Sequence, residues 1–259
     1  MKDFTRVRAR MARPAGGVQW GRSLYRLPRL VRVQAGAPAP ILFISDLHLR
    51  PECPEMAQRA LDPVRREKPA LLLLGGDMSE YDKGLVLSLK ALREAFPDTP
   101  AFAVPGNNDD GLFGGDRSAQ KEIYDSFEIR YLLNDSETLT LDGRRVEIAG
   151  VEDSYSHTPS AEGLFSANED AYRILLSHAP LSFLLNAGAD LMLCGHTHGG
   201  QLNALGFTCY FLGYESGFRY ALLAGRRRFG KTLLLVSRGI GYSKLPMRVG
   251  SRSEIHLIT

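Results

Sequence analysis

Five short apolar runs, each followed at once by Asp, Asn or His, constrain this chain more than any other feature. Ile41 to Ser45, Leu71 to Leu74, Ala101 to Val104, Arg173 to Leu176 and Leu191 to Cys194 are strand-length and lack polar alternation. That is the pattern of strands buried on both faces of a sheet. Asp46 and His48 follow the first, Gly76 and Asp77 the second, Gly106 and Asn107 the third, Ser177 and His178 the fourth, Gly195 to His198 the fifth. In open α/β sheets the loops at the carboxyl ends of neighbouring strands converge on one crevice. Five such ends point to a single site.

Between these runs, Glu55 to Glu67 and Lys83 to Ala95 have helical composition, with Leu85, Leu89 and Leu92 spaced for one buried face. Glu137 to Leu141 and Arg145 to Ala149 are β-rich and joined by Asp142-Gly143, a hairpin signal. Lys231 to Ser237 and Glu254 to Ile258 read as further strands. This order fits an α/β (α+β) fold with two sheets packed face to face and helices outside.

Four of the six histidines (His48, His178, His196, His198) fall at the strand ends, alongside Asp46 and Asp77. Imidazole with carboxylate is a donor set for Mn, Fe or Zn; an all-oxygen set would favour Ca or Mg, and thiolates structural zinc. Cys53, Cys194 and Cys209 stand at unrelated positions with no C-x-x-C spacing, so neither a disulfide framework nor a zinc ribbon is supported.

The series D-L-H at Asp46 to His48, G-G-D at Gly75 to Asp77, G-N-N-D at Gly106 to Asp109, S-H-A-P at Ser177 to Pro180 and G-H-T-H-G-G-Q at Gly195 to Gln201 resembles the calcineurin-like metallophosphoesterases. The runs A-G-V-E-D at Ala149 to Asp153 and V-S-R-G-I-G at Val236 to Gly241 look like the bacterial phosphodiesterase branch, which includes lipid A pathway enzymes hydrolysing UDP-diacylglucosamine. The resemblance implies a four-layer fold, a double β-sandwich flanked by helices, over residues 40–259. It implies two divalent metal ions, Mn first and Fe or Zn as alternatives. Asp46, His48 and His198 would hold one, Asn107, His178 and His196 the other, with Asp77 bridging. A bridging water, deprotonated near neutral pH, would attack phosphorus in line with the leaving oxygen.

One position departs from the family pattern. The family usually has G-N-H followed by an acid, its His lying near the substrate and protonating the leaving group; here that residue is Asn108, followed by Asp109. An amide donates a hydrogen bond but transfers no proton at neutral pH. Asn108 and Asp109 remain candidate catalytic residues, and His157 is the candidate replacement acid. Gly199 and Gly200 are candidate substrate-contacting glycines, with a tight turn as the alternative. Phosphodiester or pyrophosphate cleavage, in lipid or nucleotide-sugar metabolism, is the leading reading. A nuclease or cyclic-nucleotide phosphodiesterase, and a weakly active metal-binding partner protein, are the alternatives.

Charge is distributed unevenly. The first forty residues hold nine Lys/Arg against the single acid Asp3, and removing that +8 from the overall +3 leaves −5 on the remainder. Residues 1–39 therefore read as a basic N-terminal extension. A body this acidic argues against large nucleic acids as partners, and the expected substrate is a phosphorylated small molecule or a lipid-linked one. Trp20, Leu24, Leu27 and Val31 have helix-like spacing that Pro28 interrupts, so the extension reads first as solvated or partly docked chain and second as a peripheral membrane contact. The Arg-rich, acid-poor start also resembles a transit peptide in composition alone. No apolar run approaches the roughly 20 residues of a transmembrane helix. A cytoplasmic protein, in part peripheral at the inner face of the membrane, is expected. Arg226 to Arg228 read as a solvated hairpin tip, and Phe207, Tyr210, Phe211, Tyr214, Phe218 and Tyr220 mainly as core, with a substrate wall as the alternative.

Overall fold

The computed structural model describes residues 18–20, 28–154, 157–167, 170–185, 187–204, 207–208 and 223–259. Leu24, Leu27, Tyr210, Phe211, Tyr214, Phe218, Tyr220 and Cys209 lie outside the described residues, as does the side chain of Phe207.

The first sheet is built on β3 (Ile41–Ile44), β4 (Leu71–Leu74) and β5 (Ala101–Ala103), which run parallel in that order. Their side chains alternate between two cores. Ile41, Phe43, Leu71 and Leu73 face the second sheet, whereas Leu42, Ile44, Leu72 and Leu74 meet the helices. A strand buried on both faces has no use for polar positions, which is why these segments are continuously apolar. The helical layer comprises α1 (Glu55–Leu61), α2 (Asp82–Ala95) and α3 (Arg117–Ser126). α1 is shorter than the expected span to Glu67, because Pro63 has no amide hydrogen to continue the ladder. α2 buries Leu85, Leu89 and Leu92 as the spacing requires. α3 starts where the Asp116 carboxylate caps Ser118 N and Ala119 N at 2.8 and 3.2 Å.

The second sheet centres on the parallel strands β8 (Arg144–Gly150), β9 (Tyr172–Leu176), β10 (Leu191–Cys194) and β14 (Thr232–Val236). β7 (Asp135–Leu141) pairs antiparallel with β8 through the Asp142-Gly143 turn, both of whose residues have positive φ, +46° and +75°. At the opposite edge lies β13 (Gly225–Phe229). Arg226 to Arg228 thus form a charged edge strand and not a hairpin tip, a placement that discourages further strand pairing. The inner faces of both sheets share one apolar core, with Val146, Ile148, Ile174, Leu176, Leu191, Leu193 and Leu235 opposing the first sheet.

Among the described residues the outer face of the second sheet, including Leu175, Met192 and Cys194, is covered by Leu164, Phe165 and the 3-10 segment Pro180–Leu185, not by an α-helix. Among the described residues no helix is long and apolar enough to cross a membrane.

Segments before residue 40 pair with the body of the fold. β2 (Arg29–Val33) pairs in parallel with β16 (Glu254–Ile258), which is antiparallel to β3, and β6 (Ile129–Tyr131) closes the far edge. Val33 is fully buried in the inter-sheet core. β1 (Val18–Trp20) pairs antiparallel with β15 (Met247–Val249). Part of the basic extension is therefore built into the fold. A chain starting at residue 28 loses only β1, whereas one starting at residue 34 also strips β2 from β16. If β2 contributes about 3 kcal/mol, the second truncation lowers the melting temperature by about 6–12 °C relative to the first. Equal melting temperatures for the two truncations would remove β2 from the folding unit.

Candidate functional site

The carboxyl ends of both sheets meet at one place, and the chain turns sharply as it leaves each strand. Asp46, His48, Asp77, His196 and His198 all have left-handed φ values, +51°, +46°, +54°, +70° and +49°. Such conformations cost non-glycine residues of order 1–3 kcal/mol each and persist only where the surroundings enforce them. The enforcement is visible. Asp46 N and His48 N donate to Gly76 O and Asp77 O at 3.0 Å each, and Ile240 N and Gly241 N donate to Asp46 O at 3.2 and 2.7 Å.

The motif glycines are needed for approach. A Cβ on Gly106 would lie 2.1 Å from Asp77 Oδ1, and one on Gly195 2.2 Å from Asp46 Oδ2. Side chains of Asp46, His48 and His198 come together in one group whose ligating atoms lie within 4.8 Å of one another, and Asp46, Asp77 and His178 form a second, sharing Asp46. Asn107 joins the second: its Oδ1 lies 3.1 Å from His178 Nε2 and 2.8 Å from His196 Nδ1. All seven expected ligands therefore converge.

Hydrogen bonds behind the rings set their orientation. His48 Nδ1 sits 2.6 Å from Glu80 Oε1 and His178 Nδ1 2.7 Å from Gly75 O, so each ring donates outward and turns Nε2 inward. His48 Nε2 lies 3.2 Å from His198 Nε2 and 3.6 Å from Asp77 Oδ2. His198 is held differently, because Arg248 Nη2 donates to its Nδ1 at 2.8 Å. A neutral ring then carries its proton on Nε2, and a cation there requires that proton to move to Nδ1 and the Arg248 contact to lengthen.

Charge balance explains the ionisation pattern. Burial works against the Asp77 carboxylate, but the charges of His178 and His48 outweigh it and hold Asp77 well below the usual carboxylate range. Burial opposes a charge on His178 too, yet Asp77 beside it pushes that pKa up to about 10. His48 is likewise raised despite burial, through its hydrogen bond to Glu80 and the charge of Asp77. Burial, with His178 adjacent, pulls His196 down to about 3, and burial followed by Arg248 holds His198 well below its ordinary value. A proton on His178 thus stands where a cation would. Among the described residues Asp46 Oδ2 is buried without a hydrogen-bond partner, an oxygen left for such a cation. The donor set of carboxylates, imidazoles and one amide oxygen fits divalent transition metals.

The other expected site residues fall less close to the centre. Asn108 N and Nδ2 donate to Asp77 Oδ1 and Oδ2 at 2.9 and 2.6 Å. Asp109, expected to be catalytic, is buried and accepts from Gly106 N and Asp77 N at 2.6 and 3.1 Å, so it positions backbone and does not face the crevice. Burial, then the charge of Asp77, pushes its pKa up to about 7. His157 is partly exposed and its Nε2 meets Asp110 Oδ1 at 3.0 Å, with Arg117 on the same oxygen. Gly199 is buried, and a Cβ there would lie 2.7 Å from Arg238 Cγ and Ser251 Oγ; with Gly200 also at positive φ, the pair makes the tight turn and not an open contact face. Glu80 and Arg248, which orient the rings, were not singled out from sequence. The acidic residue three places after G-G-D was a readable signal for Glu80; Arg248 had none.

Two outcomes follow. Gly195→Ala must displace the Asp46 carboxylate, and a displacement near 1 Å typically costs about 10²-fold in rate; metal content and phosphoesterase turnover should both fall while circular dichroism is retained. Full metal stoichiometry and normal turnover in that variant would contradict the packing argument. Because His178 in the metal-free chain titrates near 10, cation uptake at pH 7 must expel its proton, so affinity should rise about tenfold per pH unit up to that value. Calorimetry in buffers of different ionisation enthalpy reads the released proton; a buffer-independent heat would refute it.

The profile of the calcineurin-like phosphoesterases matches residues 39–200. The chain is 31% identical over 242 residues to the uncharacterized protein YpbG of Bacillus subtilis, covering 89% of this chain and 84% of that one. It is 32% identical over 230 residues to the phosphodiesterase YaeI of Escherichia coli, covering 86% and 82% respectively. Among solved structures, the sulfate thiohydrolase SoxB of Thermus thermophilus superposes with a TM-score of 0.47 at 16% identity, over 86% of this chain and 57% of that one. With a family profile over residues 39–200, more than half of the chain, and a relative 31% identical across 89% of it, the chain belongs to the calcineurin-like phosphoesterases and is a metal-dependent phosphoesterase.

Proposed function

We propose that the chain hydrolyses phosphodiester or pyrophosphate bonds with two divalent cations, Mn foremost and Fe or Zn as alternatives. The observation that carries this reading is the meeting of two ligand groups at Asp46, with Asp77 beside both. Asp46, His48 and His198 would hold one cation and Asn107, His178 and His196 the other, with Asp77 between them. When bound, such a pair activates water and offsets charge on the phosphoryl oxygens. The chain's own part is positional. Glu80 and Gly75 fix the inward faces of His48 and His178, and Asp109 ties the Asp77 and Gly106 amides so that both G-D and G-N turns keep their places.

Asn108 shapes the substrate preference. Its amide is engaged with Asp77 and has no transferable proton at neutral pH. Charge building on the leaving oxygen must then be borne by the cations and solvent, which favours leaving groups that are stable anions. Phosphoanhydrides and activated diesters are therefore preferred over alkyl monoesters. The name of YaeI, a phosphodiesterase, supports the diester class, and nucleotide-sugar or lipid metabolism offers anhydrides of this kind.

Turnover of a bis-aryl phosphodiester by the Mn-loaded protein tests the reading directly, and its absence with full metal occupancy would overturn it. In a leaving-group series, aryl diesters should be cleaved far faster than alkyl diesters. Asn108→His should raise alkyl turnover by the larger factor, within the roughly 10²–10⁴-fold typical of general acid catalysis. A shallow leaving-group dependence that the variant leaves unchanged would mean that another group already supplies the proton, and His157→Ala would identify it.

A further inference from the structure

We propose that the β1–β15 ribbon is a docking face for an anionic lipid bilayer, seated directly behind the loop that carries His196 and His198. Val18 and Trp20 project from the same side of β1, as alternate residues of a strand do, and are 68% and 62% exposed. Gln19 between them turns inward, its Oε1 accepting from Ser253 N at 3.1 Å. Trp20 pairs with Met247, and Leu245, 53% exposed, stands two residues before that partner. These three are the larger part of the exposed large hydrophobics among the described residues; the others, Tyr81 and Val86, lie at α2.

The ribbon is tied to the site by its other side. Gln201 Nε2 donates to Ser243 O and Leu245 O at 3.1 and 2.9 Å, and Val249 N donates to Gln201 O at 2.9 Å. Arg248, fully buried, reaches His198 Nδ1. One short element therefore presents apolar side chains outward and braces the G-H-T-H-G loop inward.

Charge selects the occupant. Lys244, Arg252 and Arg29 are exposed around the ribbon, and the first forty residues carry a net +8. A second copy using the same face would bring two such positive segments together, and three apolar side chains fall far short of the ~800 Å² per partner of a stable protein interface. An anionic bilayer matches both features: Trp favours the headgroup region, and Lys and Arg near the surface are drawn to anionic lipid. The docking does not depend on the hydrolytic reading above.

Trp20 is the chain's single tryptophan, so its emission reports the contact in the full-length protein. Vesicles of phosphatidylcholine with 30 mol% phosphatidylglycerol should shift that emission to the blue and sediment the protein, and pure phosphatidylcholine vesicles should do neither. Val18→Ser, Trp20→Ser and Leu245→Ser combined should lower sedimentation with anionic vesicles at least tenfold while turnover of a soluble aryl diester stays unchanged. Single Leu245→Ser, which retains the fluorophore, should reduce the blue shift. An unshifted emission, equal binding to both vesicle types, or equal binding by the triple variant would each overturn the proposal. Lipid-free dimerisation lost in the triple variant would assign the face to a second copy and overturn it as well. Because vesicle binding is read without turnover, an inactive protein that still docks would refute only the hydrolytic reading.

Discussion

The Asp77 carboxylate is the interaction on which the rest of the site depends. It leaves β4 in a left-handed turn, and its two oxygens meet Asn108 N and Nδ2, His48 Nε2 and His178 Nε2 at 2.6 to 3.6 Å. Each of these partners comes from a different strand end, so one buried charge gathers β3, β4, β5 and β9. Gly106 must lack a Cβ because Asp77 occupies that space, and Asp109 must accept hydrogen bonds because the Asp77 amide would otherwise be orphaned in the interior. The G-G-D and G-N-N-D motifs are in this sense one structural unit split by sequence.

Holding Asp46 and Asp77 together in a buried place is unfavourable. Two carboxylates out of water repel and lose hydration, and burial raises the pKa of Asp46 accordingly. The left-handed turns add strain. The two apolar cores on either side of the first sheet supply the stability against which this is set, since β3 and β4 are buried along their whole length. In the metal-free chain, a proton on His178 offsets part of the charge. Divalent cations offset it more fully, so binding them relieves a tension that the fold has built.

Much of this was legible in the sequence, for a definite reason. A parallel strand covered on both faces must be an uninterrupted apolar run, so its end is marked by the first polar residue, and at a carboxyl edge that residue is placed for chemistry. Asp46, Asp77, Asn107, His178 and His196 each announce themselves in this way. The β2 strand did not. Its Arg29-Leu-Val-Arg-Val sequence sits in an arginine-rich stretch after Pro28, and its pairing with β16 joins residues more than two hundred positions apart. The cover on the outer face of the second sheet leaves no such mark either, since loops and a 3-10 segment cover Leu175 and Met192 without any periodicity. Asp109 misled because an acid beside the ligands looks catalytic until its hydrogen bonds to backbone are known.

Arg248 is the least foreseeable of the important residues, and it changes what the C-terminal segment is for. Its guanidinium is fully buried and donates to Arg238 O and Gly241 O at 2.6 and 2.7 Å, and to His198 Nδ1 at 2.8 Å. A buried charge is tolerated only when its hydrogen bonds are met, and here meeting them fastens the 238–241 loop to the G-H-T-H-G turn. That loop in turn covers Asp46: a Cβ on Gly239 would fall 2.5 Å from Asp46 Cβ, and Gly241 N donates to Asp46 O. Residues beyond 236 therefore close the site from behind. Asp46 and His198, which stand 152 positions apart in the chain, keep their relation through Arg248 and the 238–241 loop.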